Sequence, residues 1–230
     1  MLVIAFTGFR GGLTMSTFDF LAVTKLTKYN RILLLDRSQT CYLGGIPPLL
    51  ADHAALLAFL RGQVAQFAPE KILCIGASSG AYAALLFGHA LRADYVHAFS
   101  PYSYVDRANG EKLGDQDGLT RQADTIARIE ALGPGVRPLL DLLPVLMQDN
   151  GKTRYYIHAC KNSPWDMLRA TRLMNCPGVL VFGYPCGSHG VASTLARGGL
   201  LEDLLKLENQ DQMARRIDEA IVRLRARAGS

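Results

Sequence analysis

No apolar run in this chain reaches the roughly 18 residues that a bilayer-spanning helix requires, so the sequence offers no such helix. The opening Met1-Leu2-Val3-Ile4-Ala5-Phe6 has no basic leader and reads as a buried strand, not as a signal peptide. Cysteine is sparse: five residues, an odd number spread over different elements, argue against a disulfide framework and favour a reducing cytoplasm. Cys74 is most simply a buried small hydrophobe. Internal repeats and low-complexity segments are missing, and charged residues make up only 20% of the chain. The net charge of +5 suggests a nucleic-acid partner until it is located. Arg215, Arg216, Arg223, Arg225 and Arg227 crowd the tail against Asp218 and Glu219, while Ile217, Ala220, Ile221 and Leu224 recur at helical spacing. That is an amphipathic helix with a basic outer face. Solvation explains the face; docking on an acidic partner or carrier is the alternative, and no nucleic acid is called for.

What is present is a 230-residue chain, 49% hydrophobic, of a size for one α/β domain spanning 1–230. Apolar β-rich runs alternate with helical patterns, the signature of a parallel sheet covered on both faces. Strands are expected at Leu2–Thr7, Arg31–Leu35, Lys71–Ile75, Tyr95–Phe99, Thr153–Ala159 and Gly178–Gly183. Helices are expected near Ser16–Thr27, Asp52–Phe67 (with Asp52 as N-cap), Ser79–Leu91, Pro164–Leu173 and Gly190–Leu207. Residues 102–150 break the rhythm. A polar loop with Gly110, Gly114 and Gly118 leads into two helical stretches, Leu119–Leu132 and Val136–Met147, too long an excursion for a simple connection. The leucine-rich second stretch, with Leu143 and Met147, offers an apolar surface to line an acyl pocket; packing on the body of the domain is the alternative.

The most informative stretch is Lys71-Ile72-Leu73-Cys74-Ile75-Gly76-Ala77-Ser78-Ser79-Gly80. An apolar strand runs into G-x-S-x-G and then into the small-residue helical start Ala81-Tyr82-Ala83-Ala84, the layout of a nucleophile elbow presenting Ser78. Gly76 and Gly80 are required because a Cβ at either would collide with the neighbouring strand or helix. A dinucleotide-binding turn of the short-chain dehydrogenase kind is the competing reading. Tyr82 falls where its third glycine belongs, the motif follows the third strand instead of the first, and no Tyr-x-x-x-Lys pair lies downstream.

A serine hydroxyl needs an imidazole to take its proton and an acid to orient that imidazole. His53 precedes the motif, His89 lies in the following helix, and His97 and His158 lie inside strands. His189 stands in the glycine-rich loop Gly183-Tyr-Pro-Cys-Gly-Ser-His-Gly190 after the last strand, free to aim over the strand ends. Asp166, the carboxylate of the loop Cys160–Asp166, is the candidate acid, although a carboxylate in a first helical turn also suits the helix dipole. Asp36 is a fallback in the wrong chain order. Oxyanion donors are expected from the amide of Ser79 and from the amide of Gly8 or Phe9 in the loop after the first strand. Arg10 in that loop is a candidate contact for an anionic part of a substrate, with an ordinary surface arginine as the alternative.

Gly76-Ala-Ser-Ser-Gly80, Ala98-Phe-Ser-Pro101, the Asp166 segment and Gly187-Ser-His-Gly190 together resemble a compact bacterial α/β-hydrolase family, over most of the chain. The resemblance implies a trimmed, doubly wound, mainly parallel six-stranded sheet lacking the two N-terminal antiparallel strands, with 102–150 as a helical lid. It implies an esterase, thioesterase or acyltransferase working through an acyl-enzyme on Ser78, on a small-molecule or carrier-bound acyl substrate, without metal or organic cofactor. Proteins of this kind are often found beside genes for surface polysaccharide, glycosyl transfer or secondary metabolism. A non-catalytic binding subunit of the same fold is the remaining class. The oligomeric state, a homodimer included, stays open.

Overall fold

Six apolar runs become strands in the computed structural model, which describes residues 1–8, 29–187 and 189–228. β1 (Leu2–Phe6), β2 (Asn30–Leu34), β3 (Ile72–Ala77), β4 (Tyr95–Phe99), β5 (Arg154–Cys160) and β6 (Val179–Tyr184) form one sheet in the order β2-β1-β3-β4-β5-β6. Every pairing is parallel. All strand ends therefore point the same way, and the loops that leave them gather along one edge of the sheet.

Alternation within β1 shows how both faces are covered. Leu2, Ile4 and Phe6 join one core cluster with α1 (His53–Phe67) and α2 (Ser79–Ala90). Val3 and Ala5 join the other. The first cluster also takes in the insertion between β4 and β5. The second is closed by α8 (Val191–Arg197), α9 (Leu201–Leu205) and α10 (Met213–Ala228). α10 buries Met213, Ile217, Ala220 and Leu224 at helical spacing, as the tail's pattern requires. Asp52 caps α1, accepting from the Ala55 amide at 2.8 Å. Among the described residues no helix is long and apolar enough to cross a membrane. The helix expected at Ser16–Thr27 lies outside the described residues.

The insertion differs in detail from its expected form. The stretch read as a polar loop contains α3 (Arg107–Lys112) and α4 (Gln116–Arg121). Asp106 and Asp115 cap them through the Asn109 and Gly118 amides. These helices are too short for an apolar period to reveal them. α5 (Ala123–Glu130), a 3₁₀ turn at Pro134–Leu139 and α6 (Leu142–Leu146) follow. Downstream, α7 (Pro164–Thr171) carries Asp166, and the helix expected over Gly190–Leu207 is two, broken at Gly198-Gly199, where Gly199 has φ +68°.

A larger correction concerns cysteine. Cys160, ending β5, forms a disulfide with Cys186, two residues past β6, across a Cα separation of 4.9 Å. β5 and β6 are sheet neighbours, so the loops leaving them start side by side, which an odd count of scattered cysteines conceals. Cys41, Cys74 and Cys176 are free and buried. Cysteine usage therefore no longer argues for a reducing compartment.

Candidate active site

β3 ends at Ala77, and the chain turns at once into α2 through Ser78, whose φ of 56° is unusual for a residue with a side chain. The turn is tight enough to require both of its glycines. A Cβ on Gly76 would stand 2.1 Å from the Gly80 carbonyl oxygen, and one on Gly80 would stand 2.2 Å from that of Phe6. The Ser78 amide donates to the Phe99 carbonyl at 2.9 Å, tying the turn to the end of β4.

Three side chains from three strand ends meet here. Ser78 Oγ lies 2.9 Å from His189 Nε2, and His189 Nδ1 lies 2.6 Å from Asp166 Oδ1. Asp166 is 1% exposed, and its other oxygen accepts from Ser100 Oγ at 2.8 Å. The His189 side chain keeps 27% of its surface, so the site opens to solvent on the imidazole side. Ser78 Oγ also donates to Tyr102 Oη at 3.1 Å. Burial pushes the Tyr102 phenol up to about 12, against the pull of the Ser78 hydrogen bond, so it is a neutral hydroxyl at ordinary pH. Trp165 lies against the imidazole, ring centroids 4.4 Å apart and planes 21° from parallel, and Tyr102 flanks the same ring at 6.1 Å.

The disulfide binds the loop that precedes Asp166 to the loop that carries His189, and the Asn162 amide donates to the Cys186 carbonyl at 3.2 Å between the same two loops. Gly8 stands beside Ser78: a Cβ there would lie 3.0 Å from the Ala77 carbonyl oxygen and 3.7 Å from Ser78 Cβ. Ser79 opens α2, whose first amides have no partner within the helix.

Other expected positions fall elsewhere. Phe9 and Arg10 lie outside the described residues. Leu143 packs against the first core cluster, Met147 is 52% exposed, and no described contact joins either to Ser78 or His189. Asp36 is committed to its own turn, accepting from the Thr40 and Tyr42 amides and from Ser38 Oγ. His97 and His158 form a separate buried chain, 3.0 Å apart, that ends on Gln210 and Tyr184. The sequence assigns no role to Tyr102, Trp165 or Ser100; Ser100 lies within Ala98-Phe99-Ser100-Pro101, which was the nearest available signal. Among the described residues, no cluster of three or more His, Cys, Asp or Glu side chains is placed to hold a metal ion.

No family profile and no curated protein sequence matches the chain. Solved structures do. The capsule O-acetyltransferase of Neisseria meningitidis serogroup A aligns over 85% of this chain and 84% of its own, with TM-score 0.59 and 18% identity. MGS-MChE2, an alpha/beta hydrolase from a lagoon-sediment metagenome of Mar Chica, Morocco, aligns over 92% and 91%, with TM-score 0.56 and 14% identity. The Glycosylation Associate Protein (Gap123) complex of Streptococcus agalactiae aligns over 92% of this chain with TM-score 0.61 and 16% identity. The chain spans only 42% of the length of that last protein. At these identities the likeness is one of fold.

Proposed function

The chain has the α/β-hydrolase fold, and from that premise we propose that it is a serine hydrolase acting on an acyl ester or thioester. The observation that carries this reading is the unbroken relay Asp166–His189–Ser78, with contacts of 2.6 Å and 2.9 Å, at the end of a strained strand-to-helix turn. His189 takes the Ser78 proton at Nε2 while Asp166, buried and held by Ser100, orients the ring through Nδ1. The Ser78 oxygen adds to the substrate carbonyl. The Ser79 amide, with that of Gly8 or Phe9, donates to the oxyanion that forms. Collapse expels the alcohol or thiol, which takes the proton from His189, and water releases the acyl group by the same steps.

Acyl transfer is the second reading. It is favoured by the likeness to the capsule O-acetyltransferase over 85% of the chain, and it would use the same side chains with a hydroxyl or amine in place of water.

Labelling by a fluorophosphonate tests the core of both readings. Wild type should label on Ser78, and Ser78→Ala and His189→Ala should not. A folded wild-type protein that takes no label would sink the serine mechanism. Product analysis of the labelling-competent enzyme, with and without an acceptor alcohol, then separates hydrolysis from transfer.

A further inference from the structure

Arg169 is the largest fully buried side chain among the described residues, 1% exposed, and the mechanism above does not use it. Its Nε and Nη2 donate to Asp115 Oδ2 at 3.1 and 2.8 Å. Asp115 also accepts from the Tyr104 hydroxyl and, through Oδ1, from the Gly118 amide at 2.9 Å. The fit is close: a Cβ on Gly118 would stand 2.2 Å from Asp115 Oδ2 and 2.3 Å from Arg169 Nη2. The guanidinium carbon lies 4.3 Å from the centre of the Trp165 ring, 4.8 Å from that of Tyr102 and 5.2 Å from that of Tyr104.

Two of those rings touch the catalytic groups. Trp165, one helical turn before Arg169 on α7, lies on the His189 imidazole, and Tyr102 accepts the hydrogen bond of Ser78. Burying an ion pair is costly, and an apolar contact of the same volume would join the insertion to α7 at less expense. A planar cation does something an apolar group cannot: it attracts two aromatic faces while its edge is fixed by a carboxylate.

We propose that Arg169, held by Asp115, is a positioning residue that keeps Trp165 against His189 and Tyr102 against Ser78. The inference rests on Ser78 and His189 being the nucleophile and its base. It makes the segment around Asp115, far from the nucleophile in sequence, part of what holds the relay in register.

Trp165 is the sole tryptophan of the chain, so its fluorescence reads the stack directly and independently of activity. The test uses Arg169→Lys, which keeps the charge but loses the plane, and Asp115→Asn/Arg169→Met, which removes both charges together. In both, with the fold verified by circular dichroism, acrylamide should quench Trp165 more strongly than in wild type. The maximal rate of fluorophosphonate labelling should fall about tenfold or more, with the probe's half-saturating concentration little changed. A folded double variant with wild-type quenching and wild-type maximal labelling overturns the proposal. Should the double variant fail to fold, Tyr104→Phe, which removes one donor from Asp115, must shift both readings the same way; no shift in either overturns it. Wild type that fails to label on Ser78 overturns the serine reading instead, and the quenching series alone then still shows whether Arg169 holds the stack.

Discussion

Ser78 directs one proton toward two acceptors, Tyr102 Oη and His189 Nε2, and of these the imidazole is held by a carboxylate at 2.6 Å. Asp166→Asn keeps the shape of that carboxylate but removes the charge that stabilises the imidazolium and the certainty of an acceptor facing Nδ1. Turnover should fall on the order of 10⁴-fold while the thermal midpoint stays near that of wild type. A near-normal rate would move the acid role elsewhere, though not readily to Asp36, whose oxygens are taken by the Thr40 and Tyr42 amides and Ser38. The three residues that meet at Ser78 were legible in sequence because each lies just past a strand end, Ser78 after β3, Asp166 in the first turn of α7 after β5 and His189 after β6, and chain order does the rest. Arg169 was not. Its partner Asp115 is 54 residues away, in a stretch without apolar periodicity, and the two meet only because the insertion docks on α7. An arginine in a helix reads as solvated until something shows it buried.

The same contrast holds among the elements. Strands were legible to within two residues because β1 and β3 are buried throughout and read as apolar runs, and β4, equally buried, is interrupted only by His97. Short capped helices such as α3 and α4 have no such run, and adjacency between strands β5 and β6 is invisible along the chain. The disulfide follows from that adjacency. It cross-links residues 26 apart, and in the chain-entropy account its loss should lower stability by about 3.5 kcal/mol. Cys160→Ser/Cys186→Ser should therefore unfold at lower denaturant and label more slowly, since the segments bearing Asp166 and His189 lose their covalent tie. Equal midpoints for the double variant and the oxidised wild type would refute this contribution.

Across the whole molecule, acid should act first on the second core. Burial pushes His97 down to about 4 from 6.5, with the Gln210 hydrogen bond opposing it, and burial and the neighbouring His97 hold His158 well below 6.5. Both are neutral when folded, whereas the unfolded chain takes up protons below about pH 6.5, so stability is full above that value and is lost as pH falls toward about 4. The urea midpoint should drop between about pH 7.5 and about pH 5, and His97→Asn should flatten the drop. A wild-type midpoint unchanged over that interval would dismiss the pair as the cause. The sheet order also sets a sequence of events. The backbone contacts described for the Ser78 turn, from β1 through the Phe99 carbonyl, lie within residues 1–99, yet His189 is 111 residues beyond Ser78. If Ser78 is the nucleophile and His189 its base, as proposed, a chain that emerges N-terminus first carries the serine well before its base has been synthesised, and the relay cannot run until His189 has been added.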